Sequence, residues 1–272
     1  MKAELCSIHT HSTLCDGVNT PEEMAAAACA AGIRHFGISC HSHTPAPLDA
    51  GATLPADMSA YRRTVAALRE QYRGRMEILL GLEWDSCADV SPDGFDYWIG
   101  SVHHLRGADG GYYAIDYDAE QFAACCALFG GDALAAAEAY YARVAEVAAK
   151  KPSVLGHLDL ITKLNADGRF FDESSPRYRA AALGALRAVD PDTTLLEINT
   201  GGVSRGYREL PYPAPFLLKE WRAMGGRIII TSDSHSTDTL LFGYRQAAQL
   251  ARETGFDRTV LLTADGAADC PL

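Results

Sequence analysis

Short runs rich in Val, Ile and Leu alternate along the chain with longer, Ala-rich stretches of helical period. Seven short runs predict strands: Leu5–His9, Phe36–Cys40, Met76–Glu83, Tyr97–His103, Ser153–His157, Thr194–Asn199 and Arg227–Ser232. The stretches between them predict helices over Pro21–Ala31, Asp57–Tyr72, Ala119–Lys150, Ser174–Ala188, Ala214–Met224 and Asp238–Glu253, the third broken in two at Gly130-Gly131. Punctuation supports these limits. Thr20 can cap a helix with Pro21 in its first position and Glu23 as the capping-box partner, and Gly32, Gly74 and Gly225 sit where helices should stop. The turn signature Ser91-Pro92-Asp93-Gly94 joins the third and fourth strands without room for a helix. Gly107–Tyr113, rich in glycine, is expected to be a loop over one face.

Strands alternating with helices imply a parallel sheet, and seven near-continuous apolar strands imply an α/β barrel, closed or nearly so. An open doubly wound sheet would place a glycine-rich turn after its first strand, where this chain has His-Thr-His-Ser. With 272 residues and no linker or low-complexity tract, residues 1–272 are expected to form one domain. Composition changes this picture little: 48% apolar and 22% charged residues exclude disorder and coiled coil. Charge changes it more. A net −11 disfavours nucleic-acid polymers and anionic membranes as partners. The eight cysteines contain no Cys-x-x-Cys, the N-terminus lacks a signal-peptide apolar stretch, and no segment is long enough to span a membrane. A reduced, cytoplasmic protein with mostly buried cysteines is expected.

Candidate chemistry lies at one end of the strands. His9 and His11 end the first, His41 and His43 follow the second, and Glu83 ends the third. The fourth ends at His103-His104, the fifth at His157 followed by Asp159, and the seventh runs into Ser232-Asp233-Ser234-His235. In parallel α/β folds ligands bind at the carboxyl ends of strands, so six of seven strands deliver imidazole or carboxylate to one face. A lone His-x-His is common by chance, and one strand-end Glu or His is usually a satisfied polar group; their joint occurrence argues for a multinuclear metal site. Imidazole and carboxylate without thiolate suit zinc, manganese or iron(II). The donors exceed what one ion can use, which implies two or three divalent ions with Glu83 as a bridge.

These motifs, His9-Thr-His11-Ser with Leu14-Cys15-Asp16-Gly17, Ile38-Ser39-Cys40-His41, Gly81-Leu82-Glu83, Gly100-Ser101-Val102-His103, Gly156-His157-Leu158-Asp159 and Ser232-Asp233-Ser234-His235, resemble in order those of the polymerase and histidinol phosphatase (PHP) superfamily. Leu196-Glu197-Ile198-Asn199-Thr200-Gly201-Gly202 with Arg205 resembles its histidinol-phosphatase branch. The resemblance implies a distorted (β/α)7 barrel with a trinuclear site at the carboxyl ends of the strands. It implies one metal on His9, His11, Glu83 and Asp233, a second on Glu83, His103 and His157, and a third on Asp16, His41 and His235. Cys40 departs from the Asp often found there and is expected to sit behind the ligands. His43 and His104 are expected to be neighbours of the site, and His35 to be structural.

The reaction so implied is hydrolysis of a phosphomonoester, L-histidinol phosphate, by a metal-bridging hydroxide, with Arg205 clamping phosphate. Glu83, Asp159 and His235 are the catalytic candidates, Asp159 or a histidine serving as leaving-group acid. Lys163 and Asn199 are further substrate-contact candidates, Arg208 is expected to be a solvated surface charge, and Glu197, Asp116 and Asp118 could meet the substrate's cationic groups. Three alternatives are weighed: a phosphoesterase for another small ester such as a nucleotide, an amidohydrolase, and a non-catalytic metal-binding protein. An amidohydrolase would commonly bridge its metals with a strand-end Lys, which no candidate strand has, and a protein that kept only the fold would have lost a ligand.

Overall fold

In the computed structural model, which describes residues 5–272, apolar runs and capped helices alternate as the sequence pattern requires. The first four residues, on which the reading of the N-terminus partly rests, lie outside the described residues. The chain runs β1 (Leu5–Ser7), α1 (Pro21–Ala30), β2 (Ile33–Ile38), α2 (Ser59–Gln71), β3 (Glu77–Asp85), β4 (Tyr97–Ser101), β5 (His104–Arg106) and β6 (Tyr112–Ala114). It continues through α3 (Ala119–Ala127), α4 (Ala133–Ala148), β7 (Val154–Leu155), α5 (Pro176–Arg187), β8 (Leu195–Asn199), α6 (Gly201–Ser204) and α7 (Pro215–Ala223). The last elements are β9 (Ile228–Thr231), α8 (Tyr244–Glu253), β10 (Arg258–Thr263) and β11 (Gly266–Pro271).

Seven strands form one sheet in the order β1-β2-β3-β4-β7-β8-β9, every neighbouring pair parallel. Beyond their regular spans the two edge strands meet. Thr10 bridges Ser234, the His11 N–H donates to the Ser234 carbonyl at 2.8 Å, and the Ser234 N–H donates to the His9 carbonyl at 3.1 Å. The sheet is therefore a nearly closed barrel, joined at its carboxyl end. Side-chain alternation divides the core in two. Ile228 and Ile230 face the helices, whereas Ile229 points into the barrel with Cys6, Ile8, Leu79, Tyr97, Ile99, Val154 and Leu195. The β10–β11 hairpin fills the opposite end, setting Val260, Leu261, Leu262 and Cys270 against that inner cluster. With its floor occupied by apolar side chains, the barrel is open to solvent chemistry only at the carboxyl ends of its strands.

Several limits differ from expectation. β1 stops at Ser7 rather than His9, because Thr10 leaves the ladder to bond Ser39, its N–H to Ser39 Oγ at 3.1 Å and its carbonyl to the Ser39 N–H at 2.9 Å. α8 starts at Tyr244 rather than Asp238, since Gly243 adopts a left-handed φ of 70° that ends the preceding turn. The Gly107–Tyr113 segment is the tip and returning strand of a hairpin in which β5 pairs with β6. The β10–β11 hairpin and α6 were not expected. Thr259–Thr263 followed by Ala264-Asp265-Gly266 carried the strand-and-turn signal for the former. The break at Gly130-Gly131, the helix-free β3–β4 connection and the Thr20 capping box are all present. All eight cysteines are free, six of them buried. Among the described residues, no helix is long and apolar enough to cross a membrane.

Candidate metal centre

Two loops, after β1 and β9, and four strand ends, of β2, β3, β4 and β7, build the site. The loop after β1 returns through Leu14–Gly17 and is anchored at its far end by the α1 cap, where the Glu23 N–H donates to Thr20 Oγ1 at 3.2 Å and the Thr20 N–H to Glu23 Oε2 at 2.9 Å. Gly17 makes this return possible: a Cβ there would stand 2.5 Å from the Ser12 backbone nitrogen, so only glycine lets the loop close on itself and carry Asp16 over His11. The same loop docks on the segment after β9, through the Val18 N–H to the His235 carbonyl at 2.9 Å and the Thr237 N–H to Asn19 Oδ1 at 3.0 Å. In that segment Asp233 has a positive φ of 49°, which turns its carboxylate into the barrel mouth.

Glu83, 1% exposed, lies at the centre. Its Oε2 stands 2.8 Å from His41 Nδ1, 3.4 Å from His9 Nε2 and 3.5 Å from His11 Nε2. Its Oε1 stands 2.9 Å from His157 Nε2 and 3.4 Å from His103 Nε2, and accepts a hydrogen bond from Ser101 Oγ at 2.9 Å. Asp233 Oδ1 lies 3.5 Å from His9 Nε2 and 3.3 Å from His11 Nε2. On the outer side Asp16 approaches His11, His41 and His235 at 3.4, 3.6 and 3.2 Å. All nine expected ligand residues thus converge. They form overlapping groups whose donor atoms lie within 4.8 Å of one another: His11, Asp16, His41 and His235; His9, His11 and Glu83; His9, His157 and Asp233; His41, Glu83 and His103. His157 therefore falls with His9 and Asp233 as well as beside Glu83, a wider sharing than three separate ligand sets.

These residues fit divalent metal ions. His9 Nε2, His11 Nε2 and Glu83 Oε2 are buried without hydrogen bonds and face one another, an arrangement expensive to leave without a cation. Electrostatics agree. Burial pushes the Glu83 carboxyl up, but His41, His9 and His103 together hold it well below the carboxylate range. Burial likewise opposes ionisation of Asp233, and Arg205 and His9 overcome it. Burial depresses His9, and Glu197, Asp233 and Glu83 together raise it well above the usual histidine range. The site is a concentration of carboxylate charge that imidazolium or a metal must balance.

Behind the donors sits a second set that orients them. Glu197, fully buried, faces His9 Nδ1 with Oε1 at 2.6 Å and also accepts from Thr231 Oγ1 at 2.7 Å. Its Oε2 accepts from the His157 N–H at 2.7 Å and Asn199 Nδ2 at 3.0 Å. Asp85 Oδ2 accepts from the His103 N–H at 2.9 Å and faces His103 Nδ1 at 3.0 Å. In each case a carboxylate occupies Nδ1 and turns Nε2 toward the centre. Asp85 was missed in the sequence although it lies two residues beyond Glu83, on the same strand face, where period-two spacing would have found it.

A cavity of about 310 Å³ adjoins the cluster. Arg205 lines it, donating to Asp233 Oδ2 at 2.8 Å and to the Asp233 carbonyl at 3.2 Å; Gly201 leaves the room, since a Cβ there would meet both groups at 2.7 Å. Lys163 also lines it, paired with Asp116 at 2.9 Å. Other expectations need correction. Glu197 and Asn199 do not line the cavity: every Glu197 oxygen is already bonded, and Asn199 ties Glu197 to the Gly201 N–H. Asp159 does not reach the cavity; it is 1% exposed, its Oδ2 accepts the Ala214 N–H at 2.8 Å, and burial pushes it up to about 6. Asp118 caps α3. Arg208 is not a surface charge but pairs with Glu173 at 3.0 Å. Cys40 is buried beside Ser12 Oγ at 3.4 Å, His43 pairs with Asp89 at 2.6 Å, and His35 lies away from the site beside Glu77 at 2.8 Å.

Comparison with known proteins agrees with this architecture. Residues 7–201 match the PHP domain family model. The chain is 31% identical to a Deinococcus radiodurans protein named "Probable histidinol-phosphatase", over 94% of this chain and 95% of that one. It is 28% identical to the histidinol-phosphatase of Bacillus subtilis, over 74% and 79%. Its fold is similar to the crystal structure of a Lactococcus lactis histidinol phosphate phosphatase complexed with zinc, L-histidinol and phosphate, with a TM-score of 0.71, 19% identity, and coverage of 96% and 98%. With most of its length matched by the family model and nearly all of it by a relative, and with the motif residues gathered at one barrel end, the chain belongs to the PHP family.

Proposed function

We propose that this protein is a metal-dependent phosphomonoesterase acting on L-histidinol phosphate. The observation that carries the reading is the juxtaposition of nine imidazole and carboxylate ligands with Arg205 and Lys163 on one small cavity. Acidic donors bind cations and basic side chains bind phosphate; a small ester is what needs both. The relatives called histidinol-phosphatases match over most of the chain, which supports the choice among small esters.

The ligand sets are His9, His11, Glu83 and Asp233; Glu83, His103 and His157; and Asp16, His41 and His235. Two or three zinc, manganese or iron(II) ions held there would supply Lewis-acid charge and a water of lowered pKa. The chain's own residues do the rest. Glu197 and Asp85 keep the protons of His9 and His103 on Nδ1, so that Nε2 stays available to a ligand. Arg205, already fixed by Asp233, offers its remaining N–H groups to phosphate oxygens, where negative charge accumulates during transfer. Lys163, paired with Asp116, adds a second cation to the cavity. His235 lines the cavity as one of these ligands.

The test is phosphate release by the purified, metal-supplemented protein from L-histidinol phosphate and from a nucleoside monophosphate. A kcat/KM at least tenfold greater for L-histidinol phosphate is expected. Equal or inverted preference would move the substrate to another small ester, and no release from any ester would leave a metal-binding protein.

A further inference from the structure

The cavity has two chemically different walls. One carries the metal-type donors and Arg205. The other, built by the segment after His41 and by the β5–β6 hairpin, presents Thr44, Leu48, Asp49, His104, Asp116 and Tyr117. His104 has no part in the chemistry above. It is 3% exposed, lines the cavity, and among the described residues neither of its ring nitrogens finds a hydrogen-bond partner. Leaving a buried polar side chain so unsatisfied is costly, and a ligand's hydrogen bonds would remove that cost. Asp49 stands opposite, its Oδ1 3.4 Å from His104 Nε2. Its Oδ2 accepts from Thr44 Oγ1, its N–H donates to the Ala46 carbonyl at 3.1 Å, and its carbonyl accepts from the Ala52 N–H at 2.9 Å, so the carboxylate is held in place. The two residues together offer two ring nitrogens and a carboxylate on one wall.

We propose that His104 and Asp49 form the subsite for the organic end of the substrate and select esters whose alcohol carries N–H groups, such as an imidazole or an ammonium, over apolar or polyol alcohols. The proposal rests on the phosphatase reading of the neighbouring wall. Geometry connects the two: His103 and His104 line the same cavity of about 310 Å³, so an ester with its phosphate on the metal side has the His104 wall available to its alcohol. Among the described residues, Asp116 on the same wall pairs with Lys163, whereas Asp49 pairs with no Lys or Arg.

The test compares wild type with His104→Phe and with Asp49→Asn, a loop variant that keeps the fold if the first does not. The readouts are the ratio of kcat/KM for L-histidinol phosphate to that for p-nitrophenyl phosphate, the affinity for L-histidinol by calorimetry, and metal content. The ratio is expected to fall tenfold or more in each variant, with L-histidinol affinity weakened by a similar factor and metal content as in wild type. A ratio within twofold of wild type in both variants overturns the subsite. So does a parallel loss on both esters accompanied by metal loss, which would make His104 a support for His103. If wild type hydrolyses p-nitrophenyl phosphate but not L-histidinol phosphate, the substrate reading fails instead. The subsite is then decided by the same ratio for 2-aminoethyl phosphate against glycerol phosphate, and, if no ester is hydrolysed, by L-histidinol binding alone.

Discussion

Glu197→Gln separates the orientation of a ligand from the ligand itself. Four donors surround the Glu197 carboxylate: His9 Nδ1 at 2.6 Å, Thr231 Oγ1 at 2.7 Å, the His157 N–H at 2.7 Å and Asn199 Nδ2 at 3.0 Å. A glutamine keeps the shape but replaces one acceptor oxygen by an NH2. The backbone N–H of His157 cannot turn away, so the amide oxygen is best placed there and the NH2 faces His9 and Thr231. The Thr231 hydroxyl can rotate to accept. His9 can accept only by moving its proton to Nε2, the atom that faces Glu83 and Asp233. The proton then occupies the position of the metal bond. Loss of such an orienting contact weakens metal affinity by about 10–100-fold, or about 1.4–2.7 kcal/mol. A donor left facing a donor adds about 1–3 kcal/mol of instability, and at about 2–4 °C per kcal/mol the variant should melt a few degrees lower. Chelator competition with metal analysis reads the first effect and thermal denaturation the second. Metal affinity within twofold of wild type, in a folded variant, would refute the orientation argument.

Three further outcomes follow from local geometry. Gly17→Ala should displace the Asp16 loop, because the added Cβ meets Ser12 backbone at 2.5 Å; metal stoichiometry should drop while the barrel stays folded, and unchanged stoichiometry would count against the tight return. Asp159 is pushed up to about 6 from its usual 3.8, so the folded state holds its proton more tightly than the unfolded chain. Its favourable contribution is complete below pH 4 and is lost as pH rises through 6, leaving a penalty of about 3 kcal/mol for the buried anion. Asp159→Asn keeps an acceptor for the Ala214 N–H, so the stability gained over wild type, from urea unfolding of metal-free protein, should be about 2.4 kcal/mol greater at pH 8 than at pH 4; a pH-independent difference would contradict this. Chelation of the metals should lower the melting temperature reversibly, by the equivalent of about 2.7 kcal/mol for a site held at a hundredfold excess over Kd.

The barrel and the convergence of the candidate ligands were legible because both are written in positions near the strand ends. Seven apolar runs gave seven parallel strands, and the polar residue after each run had one direction in which to point. Glu197, Asn199 and Asp159 show where that logic stops. They occupy the same strand ends, yet local hydrogen bonds to Gly201 and Ala214 and the neighbouring His9 draw them behind the site rather than into the cavity. Their residue types suit substrate contact and ligand support equally, and only the third dimension distinguishes the two. The β10–β11 hairpin was missed for a different reason. Its apolar strand plugs the barrel floor, a tertiary role that no strand-helix alternation anticipates. His104 was legible as a neighbour of the site, but its two unmade hydrogen bonds were not.

Phosphate release from L-histidinol phosphate, with metal content measured on the same samples, for wild type, His9→Ala and Glu83→Ala tests whether Glu83 ties the metal site together and whether that site performs the hydrolysis. Both variants are expected to lose at least one ion per chain and to fall in kcat by about 10³-fold or more, the scale expected when metal-assisted catalysis is removed. Retention of activity in both variants would contradict the proposed function.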